Sequence, residues 1–157
     1  MNKLRAFLQM EFSSKKLMIE AYLFLAWARY QKSIPFERLA PTLGLASEET
    51  STDSLFERRE LAKISQSIQI VSRYTFWESQ CMVKAIAGMK MLERRQLSST
   101  LYFGTARDES GEMIAHAWLR CGAYYITGAE GMEKYTVVGK FAKRVGGRHH
   151  EAKSEFI

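Results

Sequence analysis

Two residues have side chains suited to nucleophilic catalysis and lie where regular structure is predicted. Cys81 stands in the run FWESQCMVKAIAGMKMLERR (76–95), at the start of a helix predicted over residues 79–95. The peptide N–H groups and the positive end of the dipole at a helix start stabilise a thiolate, and they can receive the oxyanion that forms when it attacks an amide carbonyl. His116 follows 35 residues later and alone of the three histidines lies in predicted regular structure. Because an imidazole titrates near neutrality, His116 can protonate the leaving amine.

A Cys-His pair also needs a third group that holds the imidazole by its other nitrogen. If the turn after His116 is centred between Cys121 and Gly122, antiparallel pairing places Thr127 opposite His116. Thr127 is therefore the geometric candidate for this third group. Gln80, which precedes Cys81, is a capping residue or a side-chain donor to the oxyanion site.

Each of these residues has a structural interpretation as well. A cysteine on the inner face of a helix commonly packs as a small hydrophobe, and a histidine on a strand commonly satisfies its hydrogen bonds within a core. Cys121 lies on the strand face opposite His116, and we predict that it is structural. From the residues alone, an enzyme and a non-catalytic binding module both remain open.

Helices must come first in the chain and strands second. Helical spacing of apolar residues predicts helices over 14–31 and 54–75, the latter opened by the S-x-x-E capping-box pattern of Ser54 and Glu57. Between them we expect a turn-rich segment around the two prolines and a polar loop, SEETSTD (47–53).

After Gln96 the pattern changes to the alternation of strands. On the segment 113–120, His116 shares one face with Trp118, and the other face continues to Cys121. The predicted strands cover 99–106, 113–120, 123–127 and 134–141, with a tight turn at 108–112. The predicted fold class is α+β, with N-terminal helices followed by a small antiparallel sheet.

Length and composition are those of one globular domain. The chain has 157 residues, of which 46% are hydrophobic and 25% charged. We divide it into a helical part (1–75), a core of Cys helix and strands (76–145) and a flexible tail (146–157) that contains His149 and His150. The net charge is +6, but the basic residues are scattered and not interleaved with aromatics, so we predict no nucleic-acid partner.

Cofactor, membrane and export signals are not found in the sequence. Two cysteines make no disulfide framework, and neither a zinc-ligand spacing nor a phosphate loop is present, so we predict no cofactor and no metal. The most apolar stretch, 17–30, contains Glu20 and is too short for a transmembrane segment. The N-terminus does not have the pattern of a signal peptide, and we expect a cytoplasmic protein.

The run WESQCMVKAIAGMKMLERRQLSSTLYFGTARDESGEMIAHAWLRCG (77–122) resembles the transglutaminase-like cysteine proteases that remove the leader peptide in lasso-peptide biosynthesis. The resemblance rests on a Trp shortly before the Cys, small and apolar residues along the Cys helix, a strand with Gly104, and HAW on the next strand. It implies a papain/transglutaminase-like core, with Cys81 as the nucleophile and His116 as the general base and acid. The family's Asp falls about a dozen residues beyond the His, where this chain has YYITGAEG. Thr127, a backbone carbonyl, Glu130 or Asp108 could take its place.

The resemblance also implies partners. The substrate would be a ribosomally made leader-core precursor peptide. Because little chain precedes the first helices, we expect the stand-alone form, which depends on a separate leader-recognition protein. A macrolactam-forming cyclase, which consumes ATP, takes the freed core peptide next and is a further candidate partner. An acyl transferase of related fold is the second enzymatic interpretation.

Overall fold

The fold is seen in a computed structural model, which describes residues 5, 8–53, 56–77 and 80–146 of the chain. Four α-helices have both ends within these residues. They are α1 (Phe12–Gln31), α2 (Phe36–Leu43), α3 (Arg58–Ser72) and α4 (Cys81–Glu93). Predictions made for Ser54, His149, His150 and most of the tail lie outside the described residues.

The strands form one five-stranded antiparallel sheet in the order β1-β5-β2-β3-β4. A two-residue turn at Gly122 and Ala123 joins β3 to β4. Strand β4 is the last in this order and lies at one edge of the sheet. The strands are β1 (Leu45–Ala46), β2 (Ser99–Arg107), β3 (Met113–Cys121), β4 (Tyr124–Thr127) and β5 (Thr136–Lys143). The predicted α+β class is thereby confirmed.

Helix α4 lies between the other helices and the sheet. Eight of its residues are buried, and it packs on β3 and its neighbours on one side and on α1 on the other. At Gly88 the approach to the sheet is so close that a Cβ atom would lie 2.8 Å from Leu119 Cδ2. Cys81 is the first residue of this helix, so the core itself fixes the position of the thiol.

Helix α1 joins this core through Ala21, Leu25 and Ala28. Its carboxylate Glu20, 8% exposed, accepts two hydrogen bonds of 2.8 Å from the guanidinium of Arg95 at the end of α4. This ion pair links the two helices. It also compensates the charge of Glu20, which would be destabilising if it were buried alone. Within the described residues, no helix is long and apolar enough to cross a membrane.

The helical half differs from prediction in two places. The segment around Pro35 and Pro41 was expected to be turn-rich, but Pro35 caps helix α2 and Pro41 lies within it. The apolar side chains of Leu39 and Leu43 are buried at helical spacing, and this burial outweighs the one hydrogen bond that Pro41 cannot donate. Helix α3 begins at Arg58 rather than 54, and Glu57 is its N-cap in an extended conformation.

The strand half agrees with prediction apart from β1, which is not predicted from the sequence. A two-residue strand is too short to show alternation, and Leu45 and Ala46 owe their conformation to pairing with Ala142 and Phe141 of β5. The loop 47–53 follows β1 directly. The other four strands lie within two residues of their predicted bounds.

That loop covers the sheet face away from α4. The buried guanidinium of Arg120 donates hydrogen bonds to the carbonyl oxygens of Thr50 (3.0 Å) and Gly122 (2.6 Å) and forms an ion pair with Glu49. A hydrogen bond from Lys140 is the main cause that lowers the pKa of Glu49. At the Arg120 end of this sheet face, the polar side chains are therefore occupied by hydrogen bonds and ion pairs that hold the loop. The candidate site lies farther along β3, near His116.

Candidate active site

Cys81 stands at the point where α4 leaves an extended segment. Gln80, its N-cap, has φ −70° and ψ 174° and makes no capping hydrogen bond with its side chain. The first hydrogen bond into the helix runs from Lys84 N–H to the carbonyl of Gln80, at 3.0 Å. The N–H groups of residues 81–83 therefore have no acceptor within the helix, as is general for a first turn. The half-buried thiol of Cys81 lies beside them.

The side chain of Gln80 is fixed from the other end of the helical layer. Lys32, the residue after α1, donates a 2.6 Å hydrogen bond to Gln80 Oε1. Because the oxygen of the Gln80 amide faces the ammonium group of Lys32, the NH2 group of the amide points away from Lys32. The role of Gln80 as an oxyanion donor stays a prediction.

His116 is held by a backbone carbonyl. Its Nε2 lies 2.8 Å from the oxygen of Gly128, and because a carbonyl only accepts, Nε2 carries the proton and donates it. The remaining nitrogen, Nδ1, is then the basic one. The ring also lies against Tyr135 at 4.9 Å and Trp118 at 5.8 Å between centroids. Orientation and tautomer of the imidazole are both determined by its surroundings.

Cys81 and His116 line the same cavity, which has a volume of about 530 Å³. The alternation of β3 places His116 on the face opposite Leu119, against which α4 packs, so the sheet would be expected to separate the pair. It does not, because β4 pairs only with residues 119–121 and ends at Thr127. His116 pairs with Gly104 of β2 on one side, and on the other side the described residues form no strand. The chain from Gly128 onward borders the cavity there.

No hydrogen bond joins Cys81 Sγ to the imidazole among the described residues. Such bonds are often long or absent until a substrate is bound. The structure thus places the two predicted residues in one cavity without a hydrogen bond between them.

Thr127 is not opposite His116. It pairs with Leu119, because the turn is centred between Gly122 and Ala123 and the register shifts between Leu119 and Arg120. The predicted register was therefore wrong. Thr127 is 4% exposed and also lines the cavity, and its Oγ1 is buried without a hydrogen-bond partner in the described part of the chain.

The two acidic candidates for the third group, Asp108 and Glu130, do not contact the ring of His116 by a hydrogen bond in the described residues. The carboxylate of Asp108 accepts hydrogen bonds from Ser110 and from the N–H of Glu112, which lower its pKa and hold it within the β2–β3 turn. Glu130 is exposed and lines the cavity. Of the alternatives left open by the sequence, a backbone carbonyl, that of Gly128, makes the contact to the ring.

Three residues of the site are not predicted from the sequence. Gly128 and Tyr135 contact the imidazole, and Arg73 brings a cation to the cavity from the end of α3. The glycine alone had a detectable signal, since a Gly directly after a strand marks a sharp change of direction. Tyr135 follows a loop whose path no pattern predicts, and Arg73 comes from a distant helix.

The charges that the described residues bring to the cavity are predominantly positive. Within this part of the chain, Arg73 and Lys84 line the cavity without an acidic partner, and Glu130 is the one carboxylate in the lining. Within the described residues, no three His, Cys, Asp or Glu side chains come together as a metal site. Cys121 is buried, and burial raises the pKa of its thiol, as expected for a structural cysteine.

Comparison with known proteins identifies the family of the chain. Neither the curated proteins nor the solved structures gave a significant match to the chain. The model of one family, described as the Transglutaminase-like superfamily, matches residues 22–140, which include α4, Cys81 and His116. This superfamily includes cysteine peptidases and acyltransferases. Because the match spans three quarters of the chain, the protein belongs to the Transglutaminase-like superfamily.

Proposed function

We propose that the protein is a cysteine peptidase that cleaves the leader peptide from a ribosomally made lasso-peptide precursor. The observation that carries the proposal is the shared cavity, in which a thiol at a helix start and an imidazole of fixed tautomer are accessible to the same substrate. The superfamily membership and the HAW-containing run support the same chemistry.

The reaction begins with attack on the carbonyl carbon of the bond between leader and core. Cys81 Sγ, as thiolate, forms the new bond, and the carbonyl oxygen becomes an oxyanion that the N–H groups of the first turn of α4 stabilise. His116 carries the proton taken from the thiol. When the C–N bond breaks, His116 gives this proton to the departing amine of the core peptide.

Water completes the reaction. The leader remains attached as a thioester on Cys81, and His116 accepts a proton from the water molecule that attacks it. The products are a leader with a free carboxylate and a regenerated thiol. Gly128 acts as a positioning residue, because its carbonyl keeps Nε2 protonated and leaves Nδ1 to move the proton.

A separate leader-recognition protein is part of this proposal, as is a cytoplasmic location. The described residues leave a cavity that is open to solvent along the segment 124–130, and an extended peptide can enter there. Presentation of the leader by a second protein would supply the binding energy that places one bond at Cys81.

The test is incubation of precursor and recognition protein with wild-type, Cys81→Ala and His116→Ala proteins, followed by mass spectrometry. We expect separate leader and core masses with the wild type and intact precursor with both variants. Cys121→Ala is the matched control, and it should cleave normally because Cys121 takes no part in the cavity. Undiminished cleavage by Cys81→Ala would refute the assignment of the nucleophile.

Acyl transfer is the second candidate, favoured by the presence of acyltransferases in the superfamily. It uses the same thioester but passes the acyl group to an amine instead of water. Addition of a primary amine distinguishes the two reactions, since transfer gives a leader-amide mass that hydrolysis does not. A third outcome, full maturation by the Cys81→Ala protein, would assign the chain as a non-catalytic binding module.

A further inference from the structure

Helix α1 has a second apolar face, on the side away from the core. Ala21, Leu25 and Ala28 face inward and are fully buried. Four large apolar side chains of the same helix are nevertheless exposed to solvent. They are Phe12 (82% exposed), Ile19 (55%), Leu23 (62%) and Tyr30 (68%). Single exposed apolar residues are common, but a helix that is apolar on opposite sides is typical of one that packs between two partners.

The spacing of these residues is regular. Steps of four, three, four, three and four residues connect the positions of the outer stripe, which we define as Phe12, Lys16, Ile19, Leu23, Ala26 and Tyr30. This is the heptad pattern of a helix that packs lengthwise against another helix. The stripe is about 27 Å long at 1.5 Å per residue, enough for five turns of contact. An extended strand or a flat sheet would not match this period.

The charges beside the stripe indicate which helix can occupy it. Lys16 lies within the stripe, and Lys15 and Arg29 follow one flank. The one acidic residue within α1, Glu20, is buried in its pair with Arg95. The exposed N-cap Glu11 lies one turn before Lys15, so three basic side chains face one carboxylate and this side of α1 keeps a net positive charge. A second copy of this chain would place the same basic flank opposite itself, and like charges at these positions disfavour pairing.

We propose that the outer stripe of α1 docks an α-helix of a partner protein, one with its own apolar heptad stripe and Glu or Asp at the flanking positions. This surface lies on a different helix from Cys81 and does not depend on the proposed peptidase reaction. Apolar contacts at Ile19 and Leu23 supply the binding energy, and the basic flank selects the acidic partner.

Two synthetic helical peptides test the proposal on the full chain. Both have the same apolar heptads, one with Glu and the other with Lys at the flanking positions, and binding is followed by fluorescence anisotropy. We expect the Glu-flanked peptide to bind, with an affinity that falls as salt rises. The Lys-flanked peptide should bind at least about 10-fold more weakly.

Variants assign the binding to the stripe. Replacing two apolar side chains in Ile19→Asn/Leu23→Asn should lower the affinity at least about 10-fold, since each loses a buried aliphatic group. Met113→Asn is the matched control, because Met113 is equally exposed (69%) but lies on β3. Far-UV circular dichroism should show the same fold for all variants. A further exchange, Lys16→Glu, should reduce the preference for the Glu-flanked peptide.

Several outcomes would overturn the proposal. They are equal binding of both peptides, no binding of the Glu-flanked peptide, and binding that Ile19→Asn/Leu23→Asn leaves unchanged. The last such outcome would be seen in sedimentation equilibrium of the chain alone. A dimer that Ile19→Asn/Leu23→Asn converts to monomer would assign the stripe to a second copy of the chain and exclude the acidic partner helix.

Discussion

Replacement of Gly128 by alanine tests the link between local backbone geometry and the candidate active site. Gly128 follows β4 with φ +73°, and its carbonyl oxygen accepts the hydrogen bond from His116. A Cβ atom there would lie 2.5 Å from the carbonyl oxygen of Ala117 and 2.9 Å from Trp118 Cβ. Both atoms belong to β3 and lie on or next to its backbone, so the segment at residue 128 must move away from the strand.

The cost can be worked from these contacts. An alanine at positive φ is disfavoured by about 1–2 kcal/mol, and forcing an extra carbon into a packed region costs about 1–3 kcal/mol. Alanine also restricts the unfolded chain, which offsets up to about 1 kcal/mol. The free energy of unfolding should therefore fall by about 1–5 kcal/mol in Gly128→Ala.

Gly131 is the matched control. It has the same φ, +73°, in the same loop, but a Cβ atom would meet nothing closer than Lys134 Cε at 3.7 Å. Gly131→Ala keeps the positive-φ cost without the steric one and should therefore lose only about 0–2 kcal/mol. Urea denaturation measures both values. Equal losses in the two variants would refute the steric argument at residue 128.

Activity on the precursor then separates stability from positioning. At a temperature where both variants are folded, we expect kcat/KM of Gly128→Ala to fall by up to about 100-fold, since general acid–base catalysis contributes at least that factor. Gly131→Ala should keep normal activity. If Gly128→Ala loses stability but cleaves normally, its carbonyl does not position His116 in the reaction.

Three other predictions concern buried and charged groups. Iodoacetamide should modify Cys81 before Cys121 in the folded protein, because Cys121 is buried with a raised pKa, and mass spectrometry after short exposure should find one adduct. Glu20→Gln should lower the free energy of unfolding by about 1–3 kcal/mol in urea denaturation, below the value for a fully buried pair because Arg95 can be rehydrated. Asp108→Asn should be less stable than wild type at pH 7. Because hydrogen bonds lower the pKa of Asp108 from 3.8, this difference should disappear as the pH falls below that value, measured by thermal unfolding across pH.

Most of the fold could be predicted because its signals are local. The face of α3 formed by Leu61, Ile64, Ile68 and Val71 is buried as its period indicated. The β2–β3 hairpin has its turn at 108–112, where the polar and glycine residues stand. Helix α2 is not predicted because prolines usually interrupt a helix, whereas the burial of Leu39 and Leu43 that stabilises it is a tertiary effect. Strand β1 exists only through its pairing with β5.

The candidate site was predictable in its residues but not in its register. Cys81 and His116 stood out by type and position, and they line one cavity. The third contact could not be predicted because a one-residue change in the turn moves every partner on β4, and the register shift between Leu119 and Arg120 then places Thr127 opposite Leu119. A carbonyl that holds a histidine has no side-chain signature, since any residue carries one.

The replacement of a carboxylate by a carbonyl changes how the proposed reaction is stabilised. The Gly128 oxygen can fix the tautomer of His116, but it is uncharged and stabilises an imidazolium less than a carboxylate would. The positive charges of Arg73 and Lys84 in the cavity lining favour a bound anion over a further cation. On the proposed mechanism, the negative charge of the oxyanion is thus stabilised by the N–H groups at the start of α4 and by these two side chains. The histidine then contributes by moving a proton at the correct nitrogen rather than by forming a lasting ion pair.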